Sequence, residues 1–163
     1  MIIDQERWLY FQQHASLRDR GVPKAVVVAI GAVIGDVKIE ASWPNWKTTN
    51  TTTTWTCWVV TQKALGYARV EYGKNLYDEH EEHRNALTPS NQSAWVRPLT
   101  GVIGLRWGAV SEAQAIHDTY YPADPITVTF TDWETTIPEA DFPVDQRQTA
   151  DRFLTALRRG VNF

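Results

Sequence analysis

The sequence predicts an α+β domain: a small bent β-barrel or sandwich of about seven short antiparallel strands with a helix at each end of the chain. Three observations predict it. Period-two alternation runs through Val37 to Trp43, Thr54 to Thr61 and Ile126 to Phe130. Apolar residues near the end recur at helical spacing, at Ala150, Phe153, Leu154, Leu157 and Val161. Turn-forming residues separate the alternating runs at short intervals, the rhythm of hairpins rather than of βαβ crossovers.

In order, the first element is a helix over residues 4–20. Asp4 caps it, Glu6 complements the positive end of its dipole, and Gly21 followed by Pro23 stops it. Trp8, Phe11 and Ala15 share one face, so the helix lies on the domain. Residues 25–137 form the β meander. Ala25 to Ile30, a β-branched run bounded by Pro23 and Gly31, reads as a fully buried strand. Next, Val37, Ile39, Ala41 and Trp43 face one way and Asp36, Lys38, Glu40 and Ser42 the other, a strand with one wet face. Pro44 to Asn50 reads as a polar loop, Thr54 to Thr61 as a strand, Gln62-Lys63 as a tight connection and Ala64 to Tyr72 as the second arm of a hairpin.

Gly73 to Gln92, with Asp78, Glu79, Glu81 and Glu82, has no apolar periodicity and reads as a solvated excursion with a helical turn or two. Strands follow around Trp95 to Arg97 and over Val102 to Trp107, separated at Pro98, which has no N–H to give a ladder. Ser111 and Gln114 open a short helix that reaches about His117. Ile126 to Phe130 and Glu134 to Ile137 close the meander around Asp132-Trp133. The final helix, over 145–160, has Asp145 as cap, Arg158 and Arg159 at its negative end and Gly160 as stop.

The 163 residues suit one domain, and 43% hydrophobic with 21% charged residues is a composition that folds alone. A net charge of −3 opposes a surface that neutralises many phosphates, so nucleic acid is not an expected partner. Arg147, Arg152, Arg158 and Arg159 on the last helix are diluted by Asp145 and Asp151. The longest apolar stretch, Ala25 to Ile34, is far short of the roughly 20 residues that span a bilayer. A single cysteine and no secretory leader pattern predict a cytoplasmic protein. No glycine-rich phosphate loop is present, and no cofactor is implied.

The segment from Trp58 through Thr61, Gln62, Lys63, Leu65 and Tyr67 to Arg69 resembles the hairpin of bacterial pleckstrin-homology-like (PH-like) domains. Arg97-Pro98-Leu99-Thr100-Gly101-Val102 resembles their next strand, and Ile126 to Phe130 the strand before their final helix. The likeness runs from about Val26 to Val161. It implies a bent barrel whose open end the C-terminal helix plugs. The N-terminal helix and the long excursion after Tyr72 depart from that plan. The proteins resembled are uncharacterised actinobacterial ones, so the likeness implies a bacterial origin and a fold but no activity.

Tryptophan, eight in all, is the distinctive residue. Trp43, Trp46, Trp55 and Trp58 crowd one stretch of chain, and such residues dominate binding hot spots. Trp43 and Trp55 suit the core. Trp46, in the polar loop, and Trp58, alternating opposite to Trp55, are the pair expected at the surface, so Trp46, Trp58 and Trp43 make up the candidate binding surface. His80 and His83, three apart among carboxylates, are the candidate metal ligands, but the zincin spacing is four, and a charged solvated segment is the expected reading. Cys57 is expected in the core as an inert thiol, and His14 and His117 as partly exposed structural histidines. With no catalytic constellation, the predicted function is a non-enzymatic module that binds a protein partner or itself. The alternative is a cone-like small-ligand carrier or enzyme with a tryptophan-lined pocket, into which His117, Asp118 or Arg106 would converge.

Overall fold

A computed structural model describes residues 3–17, 21–85, 87–107, 126–137 and 147–161. The first helix, α1 (Gln5–Ala15), starts at Asp4, whose carboxylate accepts the Arg7 N–H at 2.8 Å. It ends at Ser16, earlier than the expected residue 20.

The run expected as the first buried strand is instead helix α2 (Lys24–Ile34). An all-apolar run has no period of its own, so helix and strand fit it equally well until its neighbours are known. Here the neighbours are α1 on one side and a sheet on the other, and the residues buried between them, Val26, Val27, Ile30, Gly31 and Ile34, follow helical spacing. A Cβ on Gly31 would lie 2.7 Å from Ile3 and 3.1 Å from the Phe11 ring, so this glycine lets α1 approach closely. Gly35, at φ 60°, ends the helix and donates its N–H to Gly31 O at 2.9 Å.

Strands β1 (Ile39–Thr48), β2 (Thr53–Thr61), β3 (Ala64–Tyr72) and β4 (Asn91–Pro98) form an antiparallel sheet in that order. β1 continues through the segment expected as a loop, with Pro44 opposite Cys57 and Trp46 opposite Trp55. Proline is tolerated there because β1 is an edge of the sheet. Thr49 Oγ1 closes the β1–β2 turn, accepting from Thr52 N–H at 3.0 Å and Thr51 N–H at 3.3 Å. Thr61 Oγ1 does the same for the β2–β3 turn, accepting the Ala64 N–H at 2.9 Å.

The excursion after Tyr72 contains α3 (Glu79–Asn85). After β4, the short 3₁₀ turn Leu99–Gly101 leads into a second antiparallel sheet of β5 (Val102–Trp107), β6 (Ile126–Phe130) and β7 (Glu134–Ile137). Among the described residues no ladder joins this sheet to the first. The last helix, α4 (Arg147–Gly160), ends at Gly160, the expected stop. The helix expected over 111–117 and the Asp145 cap lie outside the described residues.

The four-stranded sheet is covered on both faces. On one, α1 and α2 pack over Trp55, Cys57, Val59, Ala68 and Val70. On the other, α4 and the second sheet pack over Trp43, Trp58, Val60, Leu65 and Tyr67, with Phe153 of α4 set 5.8 Å from the Trp43 ring. None of the described helices is long and apolar enough to cross a membrane.

Candidate functional site

The ladder sorts the four clustered tryptophans by face. Trp43 pairs with Trp58 and Trp46 with Trp55, so the expected surface pair, Trp46 and Trp58, stands on opposite faces of the sheet. Trp58 is 2% exposed, which overturns its expected place at the surface. The opposite alternation is correct, but α4 and the second sheet cover that face as well. Trp43 is buried beside it, and Trp55 is buried as expected. Trp46 is half-buried, its ring 5.8 Å from that of Trp55 and packed on the α2-side core, because β1 extends through the segment that was to be a loop.

The aromatic surface lies elsewhere, where β4 meets the β6–β7 turn. The Trp95 ring lies 5.5 Å from Trp58 and 5.6 Å from Tyr67, and it meets the Trp133 ring edge-on at 4.8 Å. Trp133 is held by the turn in which Phe130 N–H donates to its carbonyl at 2.6 Å, and it remains 37% exposed. Arg97, two residues after Trp95 and so on the same face of β4, sets its guanidinium 4.8 Å above Trp133 and 5.4 Å above Phe130. Its Nη1 donates to Asp132 Oδ1 at 2.6 Å, and that hydrogen bond holds the Asp132 carboxyl below its usual range. Trp95, Arg97, Asp132 and Trp133 thus form a stacked, ion-paired platform rooted in the core through Trp58. The sequence reading missed it, although the i, i+2 spacing of Trp95 and Arg97 and the adjacent Asp132-Trp133 were its visible signals.

A second concave feature, an open groove of about 720 Å³, runs between α4 and the strands β1 and β2. Glu40, Gln62, Asp151, Arg152 and Arg159 line it, and among the described residues no tryptophan does. Of the polar groups proposed for a ligand pocket, Arg106 is exposed on β5, and His117 and Asp118 lie outside the described residues.

His80 and His83 are both exposed on α3, and among the described residues no group of three metal-ligating side chains converges. One member of that charged segment is not solvated: Glu82 is 6% exposed. Its carboxylate accepts the Lys24 N–H at 3.1 and 3.2 Å, the Tyr72 hydroxyl at 3.4 Å and the Tyr77 hydroxyl at 2.6 Å. It therefore serves the first turn of α2, where no side chain of the helix's own cap does so. Cys57 is fully buried, and burial pushes its thiol far up, away from nucleophile chemistry. His14 is half-buried with Nδ1 3.0 Å from Ser42 Oγ, the structural role expected of it. Comparison of the chain with protein-family models, with curated proteins and with solved structures returned no match.

Proposed function

We propose that this domain is a non-enzymatic interaction module that recognises a protein partner through the platform of Trp95, Arg97 and Trp133. The observation that carries this reading is the Arg97 guanidinium, held over Trp133 while ion-paired to Asp132 at the surface. Tryptophan and arginine are the residue types that dominate binding hot spots. Their geometry is fixed before a partner arrives, which lowers the ordering cost of association. Such a platform reads shape and aromatic character, and it needs no cofactor. We read the scaffold as PH-like, supported by seven antiparallel strands in two sheets among the described residues and a C-terminal helix packed on them, with α1 and α2 as additions.

The test is affinity capture from the native host's lysate with wild type, Trp133→Ala, Arg97→Ala and the groove variant Arg152→Glu, after confirming that all four fold. A partner held by wild type and by Arg152→Glu, but at least tenfold weaker on both platform variants, is the expected result, since tenfold corresponds to about 1.4 kcal/mol. A partner lost only by Arg152→Glu would move recognition to the α4 groove and overturn the proposal.

A further inference from the structure

The groove between α4 and the strands β1 and β2 shares no residue with the Arg97–Trp133 platform. Its two sides are fixed against each other before any ligand arrives. Phe153, Leu154 and Leu157 of α4 are buried in one core with Val60 and Leu65 of the sheet. At Gly160 an added Cβ would meet the Leu99 side chain, with the Gln62 carbonyl 3.8 Å away, so the end of α4 is seated on the β2–β3 turn. A groove of about 720 Å³ on such a support lies within the range of about 300–1,000 Å³ that small-molecule sites occupy.

α4 lays two guanidinium groups along this groove. Arg152 and Arg159 both line it, and seven residues of helix set their Cα atoms about 10 Å apart along the axis. An acid three or four positions away would neutralise an arginine on a helix surface. At those positions within α4, Arg152 has Gln148, Thr149, Thr155 and Ala156, and Arg159 has only Thr155 and Ala156. Both arginines are exposed, and neither takes part in an ion pair or hydrogen bond among the described residues. Between them the small, half-buried Thr155 and Ala156 leave the floor open.

Two carboxylates in the same groove narrow the choice of ligand. Glu40 already holds Lys38 Nζ at 3.6 Å. Asp151 precedes Arg152, turned about 100° from it around the helix, and forms no ion pair with it. With two charges of each sign the lining is neutral as a whole, so a dense polyanion such as nucleic acid gains nothing by entering. A small monoanion gains little either, because a single exposed ion pair is weak in water. A ligand that reaches both guanidinium groups adds the second contact without a second loss of translational freedom.

We propose that the groove binds a small linear dianion, with its charged ends about 10 Å apart on Arg152 and Arg159 and its middle over Thr155 and Ala156. Carboxylate and phosphate ends both match the guanidinium fork, and the choice of probes separates them. Isothermal titration calorimetry of the whole chain at low ionic strength tests the proposal, with octanedioate, hexanediol bisphosphate, octanoate and octanediamine as probes. The expected result is stoichiometric binding of a dianion, with octanedioate the tighter if the site takes carboxylates and the bisphosphate if it takes phosphates. Octanoate is expected to bind at least tenfold more weakly, Arg152→Gln and Arg159→Gln each to weaken the dianion at least tenfold, and Trp133→Ala to change nothing. Should an arginine variant fold poorly, wild type decides without it: the tighter dianion must shift the amide resonances of Thr155 and Ala156. Absence of binding by either dianion, octanoate as tight as the dianion, a dianion indifferent to either arginine, or preference for octanediamine would each overturn the site.

Discussion

The Tyr77 hydroxyl donates to the buried carboxylate of Glu82 across 2.6 Å. The same carboxylate accepts the Tyr72 hydroxyl and the Lys24 N–H, so one acidic side chain ties α3 to the end of β3 and to the start of α2. Removing it strands buried donors, at a cost of about 1–3 kcal/mol for each group left unsatisfied. Glu82→Ala is therefore expected to lower stability by about 2–4 kcal/mol, with Glu82→Gln costing less because it keeps an acceptor. Denaturant unfolding measures both, and a loss under about 0.5 kcal/mol for Glu82→Ala would mean that water already serves these donors.

The tyrosines predict an alkaline limb. Burial first, and then the Glu82 charge and hydrogen bond, push the Tyr72 and Tyr77 hydroxyls up from an ordinary value of 10.0. A group raised on folding contributes stability that is fully present below its unfolded value and lost above it. Stability is thus expected to hold up to about pH 10 and to fall beyond it. Tyr77→Phe is expected to weaken that fall, and alkaline titration of the unfolding midpoint compares the two. An identical limb in both proteins would remove Tyr77 from the explanation.

What was legible in the sequence follows period. The β2–β3 hairpin and α4 showed themselves by alternation and by the i, i+3, i+4, i+7 pattern, and both lie where they were expected. α2 did not, because Val26 to Ile30 is apolar at every position and only the α1 and sheet surfaces around it select a helix. Trp58 stands on the expected strand and on the face opposite Trp55, but its burial depends on α4 and on a second sheet contributed from far along the chain. Glu82 sits in a run of charges with nothing local to distinguish it from Glu79 or Glu81, and its partners are 58 and 10 residues away for Lys24 and Tyr72. The Arg97–Trp133 platform needed the contact between β4 and the β6–β7 turn.

At Gly66 the helix layer sits close against the sheet. A Cβ there would lie 2.8 Å from Val59 Cγ2 and 3.1 Å from Ile34 Cδ1, both buried. Gly66→Ala is expected to cost about 1–3 kcal/mol by overpacking. Gly73→Ala, where the added methyl meets nothing within 4 Å, is the control and is expected to change stability by less than about 0.5 kcal/mol. Equal effects at the two positions in chemical denaturation would contradict the close seating of α2 on β3.

An acid limb is expected from His14. Burial lowers its imidazole from the ordinary 6.5, so the unfolded chain takes up this proton more readily than the folded one. Stability contributed by the neutral ring is then complete above about pH 6.5 and declines as pH falls below it. His14→Gln is expected to flatten the change in thermal midpoint between pH 7.5 and 5.5, on the order of the range in which histidine titrates. A slope unchanged by the substitution would assign the acid sensitivity to the carboxylates.

The two tryptophans expected to share one surface give the sharpest test of the layered fold, because they now carry different predictions. Trp58 is closed in between the sheet and the α4 side, its ring 4.5 Å from Tyr67 and 5.5 Å from Trp95. Truncating it opens a large cavity, and Trp58→Ala is expected to cost about 3–5 kcal/mol. Trp46 lies half-buried on the edge strand against Trp55, where solvent can fill part of the space that its removal leaves. Trp46→Ala is therefore expected to cost about 1–2 kcal/mol, less than a fully enclosed aromatic and more than an isolated surface residue. Because the two side chains occupy opposite faces of the sheet, the double variant should lose the sum of the single losses to within about 0.5 kcal/mol. Urea unfolding of the two single variants and the double variant supplies all three numbers. A coupling above about 1 kcal/mol would place the two rings in one cluster, contrary to the register that pairs Trp43 with Trp58 and Trp46 with Trp55.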